Sequence, residues 1–143
     1  MKKIISTMFV MSLYLFCNNT MAVTSVKTLI IVQPMAINPY EQIWTAVCMG
    51  ESHQDNMAYN PLEQATGIVQ IRPIRLLDYN QRTGSSYTLD DCYNVVISKK
   101  IFMYYAQQFN PNEYDKIASD WNKCPTTAYW LRIKPFMDCN IYS

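Results

Sequence analysis

From Asn38 onward, apolar positions recur at helical spacing and short polar breaks separate the stripes. Ile43 and Val47 share one helix face, while Trp44, Cys48 and Glu51 share the neighbouring one. Asn38 is a good N-cap, Pro39 suits the first helical position, and Glu41 stands in capping-box order. These signals predict a first helix from Asn38 to Gly50-Glu51-Ser52. Residues 52–66 read as a polar loop with a turn at Asn60-Pro61. Gly67 to Ile71 is short, apolar and β-branched, which fits a strand or an irregular segment. Pro73 starts a second helix through Ile74, Leu76 and Leu77 to about Gln81, and Thr83-Gly84-Ser85-Ser86 breaks it.

Thr88 and Asp91 have capping-box spacing, and Asn94 can cap a third and longest helix over 95–109. Its apolar band is Val95, Ile97, Ile101, Phe102, Tyr105 and Phe109. Asn110-Pro111-Asn112 stops it. A fourth helix follows from about Glu113 to Trp121, and a last one from Thr127 to Met137, broken or ended near Pro135. The expected fold is mainly α: a single domain with five helices and a small extended segment.

The N-terminus changes the picture of where the chain works. Lys2 and Lys3 precede the apolar run Ile4 to Phe16, which is short for a bilayer span, and Thr20-Met21-Ala22 offers a small-residue cleavage site. Residues 1–22 read as a signal peptide, with a retained anchor or lipidation at Cys17 as alternatives. Residues 23–37 read as an extended arm, and the domain occupies 38–143. The chain has 143 residues, half of them hydrophobic and 16% charged, with a formal charge of +1. That composition is globular, and it carries no electrostatic footprint for nucleic acid.

Export makes disulfides possible among Cys48, Cys92, Cys124 and Cys139. Sequence leaves the pairing open, with Cys124–Cys139 the first guess and free buried thiols the alternative. There is no Cys-x-x-Cys pair, and His53 is the only histidine, so a zinc site is not expected.

Glu51 is the candidate for chemistry. It ends a helix, where the macrodipole is negative, beside the apolar Trp44 and Cys48. Both surroundings disfavour a charged carboxylate, and a protonated carboxyl is what general-acid cleavage of a glycosidic bond needs. Asp55, Glu63 and Asp78 are the other acids nearby in sequence, and each reads by default as a surface charge. Tyr104-Tyr105 read as packing, Lys99-Lys100 as a solvated face, and His53 as an exposed loop residue.

Glu51-Ser52, Ala58, Gly67-Ile68-Val69-Gln70-Ile71-Arg72-Pro73 and Trp121-Asn122 together resemble the soluble-type lytic transglycosylase family, relatives of goose-type lysozyme. The resemblance covers about residues 38–133 and implies a lysozyme-like fold. It implies that Glu51 is catalytic and that Ser52 orients it or helps bind substrate. It further implies that Gly67 lets a sugar approach the backbone and that Gln70 offers its amide to glycan. Asn122 would shape the cleft and touch the substrate, and Tyr129 would line the cleft. Lys123-Cys124 departs from the family's Ala-Gly, Trp121 from its usual Tyr, and Asp55 from its Asn.

The implied activity is cleavage of the bond between N-acetylmuramic acid and N-acetylglucosamine in peptidoglycan, with a 1,6-anhydro product. Glu51 would act as acid and then as base, with no cofactor and no metal. The alternatives are a hydrolytic muramidase using a second carboxylate, and an inactive glycan-binding envelope module. The expected location is the periplasm, the envelope or the exterior. The expected partners are glycan strands, with an envelope-spanning secretion or conjugation complex as a candidate.

Overall fold

The structure, a computed structural model, describes residues 38–123 and 127–137. The signal peptide 1–22 with Cys17, the arm 23–37, and Cys124 with Cys139 and their suggested bridge lie outside the described residues.

Five α-helices and one small hairpin make up the regular structure of the described residues. Helix α1, Glu41–Ser52, begins three residues after the predicted cap. Asn38 still organises the entry, because its side chain accepts from Tyr40 N at 3.1 Å and its carbonyl from Glu41 N at 3.0 Å. Glu41 does not close a capping box. It reaches Lys99 instead, at 2.6 and 2.8 Å, so Lys99 is not simply solvated. The predicted faces are the buried ones: Ile43, Trp44, Val47 and Cys48 all lie in the core.

The loop after α1 contains the hairpin β1, Tyr59–Asn60, paired antiparallel with β2, Ala65–Thr66. Thr66 also bridges Ile71, which closes Gly67–Gln70 into a tight turn rather than a strand. Helix α2, Pro73–Thr83, ends on Gly84 in the left-handed conformation. Its inward face is unexpected: Arg75 is buried, while Ile74 and Leu77 are exposed.

The Thr88–Asp91 box forms as predicted, with Asp91 Oδ2 accepting from Thr88 N at 2.7 Å, and a short 3-10 turn follows over Asp90–Tyr93. Asn94 Oδ1 accepts from Val96 N at 2.9 Å and caps α3, Val95–Ala106. That helix ends before Phe109, in keeping with the approach of Asn110-Pro111, where the residue before proline avoids helical angles. Helices α4, Tyr114–Asn122, and α5, Ala128–Ile133, complete the set, with a 3-10 turn over Lys134–Phe136 where Pro135 was expected to interrupt the last helix.

An aromatic chain ties three helices together. Trp44 of α1 meets Phe102 of α3 edge-on at 5.4 Å, and Phe102 meets Trp121 of α4 at 5.0 Å. Phe102 is 1% exposed, and burying a side chain of that size contributes roughly 1.5–3 kcal/mol. Tyr105 is also core, as the packing reading of Tyr104-Tyr105 expects. Cys48 and Cys92 are both free and buried, so neither takes part in a disulfide. Burial pushes both thiols up to about 12, which leaves them as inert core groups.

Candidate active site

Glu51 lies on the last turn of α1, with only 15% of its side chain exposed. Its neighbour across the helix interface is α5. Gly50 makes that approach possible, because a Cβ there would run into Ile133. A glycine inside a helix costs about 1 kcal/mol relative to alanine, so Gly50 is a sequence signal for a close crossing at this point. The crossing brings Tyr129 and Arg132 of α5 beside Glu51. Arg132 Nη2 stands 3.3 Å from Glu51 Oε1, and the guanidinium lies 4.9 Å from the centre of the Tyr129 ring.

Tyr129 is 5% exposed, and its hydroxyl has no hydrogen-bond partner among the described residues. It sits close enough to Glu51 to feel that carboxylate, without reaching hydrogen-bond geometry. Burial first, and then the Glu51 charge, push the phenol well above its ordinary range, so it stays a neutral O–H donor.

The Gly67–Gln70 turn faces Glu51 from the other side, and its backbone is held at every residue. Gln70 Nε2 donates to Gly67 O at 2.9 Å and to Ala58 O at 3.2 Å. Ser52 Oγ donates to Ile68 O at 2.7 Å, and Trp121 Nε1 to Val69 O at 3.1 Å. Gly67 N donates to Ala58 O at 2.9 Å. Gly67 has φ +79°, and the space where its Cβ would stand is filled by the Cys92 carbonyl. The glycine is therefore required by the fold, since it admits the backbone of the 3-10 turn at that face rather than a sugar. Gln70 also adopts a left-handed conformation, φ 51°, which costs about 1–3 kcal/mol and persists because the surrounding bonds over-determine it.

Glu51, Gln70 and Asn122 line one cleft of about 290 Å³, near the low end of the roughly 300–1,000 Å³ of small-molecule sites. Ser52, Gly67 and Tyr129 do not line it, although Ser52 and Gly67 are bonded within the turn that carries Gln70. The Gln70 amide N–H groups are spent on backbone carbonyls, so only its Oε1 is left to meet a ligand. Arg75 and Trp121 form part of the lining. Arg75 caps the end of α4 by donating to the carbonyls of Asp120 and, at 2.9 Å, Trp121. Lys123 takes the left-handed position at that helix end, φ 55°.

The other acids separate clearly. Glu63 and Asp78 line the cleft and Asp55 does not. Asp55 Oδ1 accepts from Met57 N at 2.8 Å in a local turn. Glu63 is held by Arg72 at 3.0 Å. Arg82, and then Tyr105, hold the Asp78 carboxyl below its usual range, so it is an anion and no proton donor. His53 is exposed at the end of α1. Among the described residues no three His, Cys, Asp or Glu side chains stand together as a metal site would need.

Sequence reasoning missed Arg132, although it lies three residues after Tyr129 and so on the same helix face. It also missed Arg75, and the bond from the Trp121 indole to the wall.

The fold and site define a small, mainly helical protein with one partly buried carboxyl over a polar cleft. Comparison with protein-family models, with curated proteins and with solved structures found no match for this chain.

Proposed function

We propose that this chain is a peptidoglycan lytic transglycosylase, exported to the cell envelope. The observation that carries the reading is Glu51, mostly buried at a helix end, sharing one cleft with Gln70 and Asn122. Glu51 in its protonated form gives its proton to the glycosidic oxygen between N-acetylmuramic acid and N-acetylglucosamine as the bond from muramyl C1 breaks. The carboxylate left behind then takes the proton of the muramyl C6 hydroxyl. The C6 oxygen closes on C1, and a 1,6-anhydro ring forms without water. Glu51 ends the cycle protonated again, so one carboxyl serves as acid and base. The fixed wall gives the sugar a rigid reference, with Gln70 Oε1 as its acceptor.

Hydrolysis is the second reading, and Glu63 is the observation that favours it, because it lines the same cleft. A water-activating role would require Glu63 to leave Arg72.

Glu51→Gln preserves shape and removes the proton. Release of soluble fragments from purified peptidoglycan should fall by about 10²–10⁴-fold, with the thermal unfolding curve unchanged. Undiminished release by the folded variant would overturn the assignment of Glu51.

A further inference from the structure

We propose that Arg132 reads charge on the substrate: a carboxylate on the muramyl residue draws its guanidinium off Glu51 and readies Glu51 as the acid. This rests on the glycan-cleaving reading above.

The Glu51–Arg132 pair is built to come apart. At 3.3 Å it is the longest ion pair among the described residues; the others run from 2.5 to 3.1 Å. It is also longer than the roughly 2.7–2.9 Å of a strong charge-assisted bond. The partners are unequally exposed, 54% for Arg132 and 15% for Glu51. Arg132 can therefore turn toward solvent or ligand while Glu51 stays in place.

The pair is also wrong for the first chemical step. A guanidinium at that oxygen favours the carboxylate, whereas bond cleavage needs the protonated form. Once Arg132 leaves, Glu51 stays in place with 15% of its side chain exposed and without the cation that opposes its role as an acid. The buried Tyr129 hydroxyl, which has no partner while Arg132 holds Glu51, lies near that carboxyl and is a donor free to turn to it.

The ligand chemistry follows. The guanidinium fork matches any carboxylate, so a second carboxylate can compete with Glu51 for it. Muramyl residues carry a lactyl group, free as a carboxylate or extended by a peptide that bears its own carboxylates, and N-acetylglucosamine carries neither. Arg132 thus separates bonds at muramyl C1 from the alternate bonds of the strand. It is a positioning residue for Glu51 and a specificity residue for the sugar.

The test uses three glycan preparations: strands with stem peptides, strands stripped to free lactyl carboxylates, and stripped strands whose carboxylates are amidated. The wild-type chain, Arg132→Gln and Arg132→Lys are compared by kcat and KM. Wild type should favour anionic over amidated strands by about tenfold in kcat/KM. The better of the two anionic strands identifies which carboxylate is read. Arg132→Gln should lose that preference by falling on anionic strands and holding or rising on amidated ones, and Arg132→Lys should keep part of it. Equal wild-type rates on charged and amidated strands would overturn the inference and leave the function standing. An equal fall of Arg132→Gln on both would do the same, since it marks a merely structural role. If Arg132→Gln does not fold, the salt dependence of the wild-type preference decides: a preference that salt leaves unchanged overturns the inference. Turnover of no strand by wild type would overturn the proposed function itself.

Discussion

The two sets of residues around Glu51 are held in opposite ways. On one side the Gly67–Gln70 turn has three successive carbonyls, each taken by a different side chain, from Gln70, Ser52 and Trp121. On the other side α5 presents Tyr129 with an unpartnered hydroxyl and Arg132 with one long contact to Glu51. The fixed side can position a sugar because nothing in it needs to move. The loosely held side can exchange partners around the proton that the proposed reaction needs. A polar atom left unsatisfied in a core is a store of free energy that a second arrangement can release.

Substitutions that remove similar groups should therefore behave differently on the two sides. The largest effect is expected at Gly67→Ala. A left-handed φ and a clash with the Cys92 backbone act together, and the loss should be about 3 kcal/mol or more in denaturant unfolding. A loss under ~1 kcal/mol would mean that the wall is not rigid. Trp121→Phe keeps the ring packing and deletes the donor to Val69 O, leaving a buried carbonyl unpaired. It should cost about 1–3 kcal/mol and lower cleavage with it. Tyr129→Phe deletes a hydroxyl that has no partner in the resting structure. Stability should stay level or rise by up to ~1 kcal/mol, while turnover drops roughly tenfold. A stability loss at Tyr129→Phe as large as at Trp121→Phe would erase the difference between the sides.

Much of this molecule is legible in local sequence because local physics decides it. The caps at Thr88, Asp91 and Asn94, the stop at Gly84, and the buried faces of α1 follow from neighbours within a few residues. What sequence could not show depends on pairs far apart in the chain. Arg132 meets Glu51 across 81 positions, and Trp121 meets Val69 across 52. Glu41 was expected to serve its own helix start, yet a lysine from α3 outcompetes a backbone N–H for it. Arg75 looks like a surface residue of an amphipathic helix until α4 ends above it and supplies carbonyls. Gly67 was expected to make room for a ligand; the room is taken by Cys92, whose position no local pattern encodes. Glu51 was singled out from its place on the helix, but the cation beside it has no local signal.

The most direct test of the account is the mass spectrum of fragments released from purified peptidoglycan by the wild-type chain, with Glu51→Gln as control. The account predicts fragments ending in 1,6-anhydromuramic acid, each lighter by one water than its hydrolytic counterpart, and none from the control. Fragments ending in reducing muramic acid would contradict the single-carboxyl mechanism and shift the second catalytic role to Glu63.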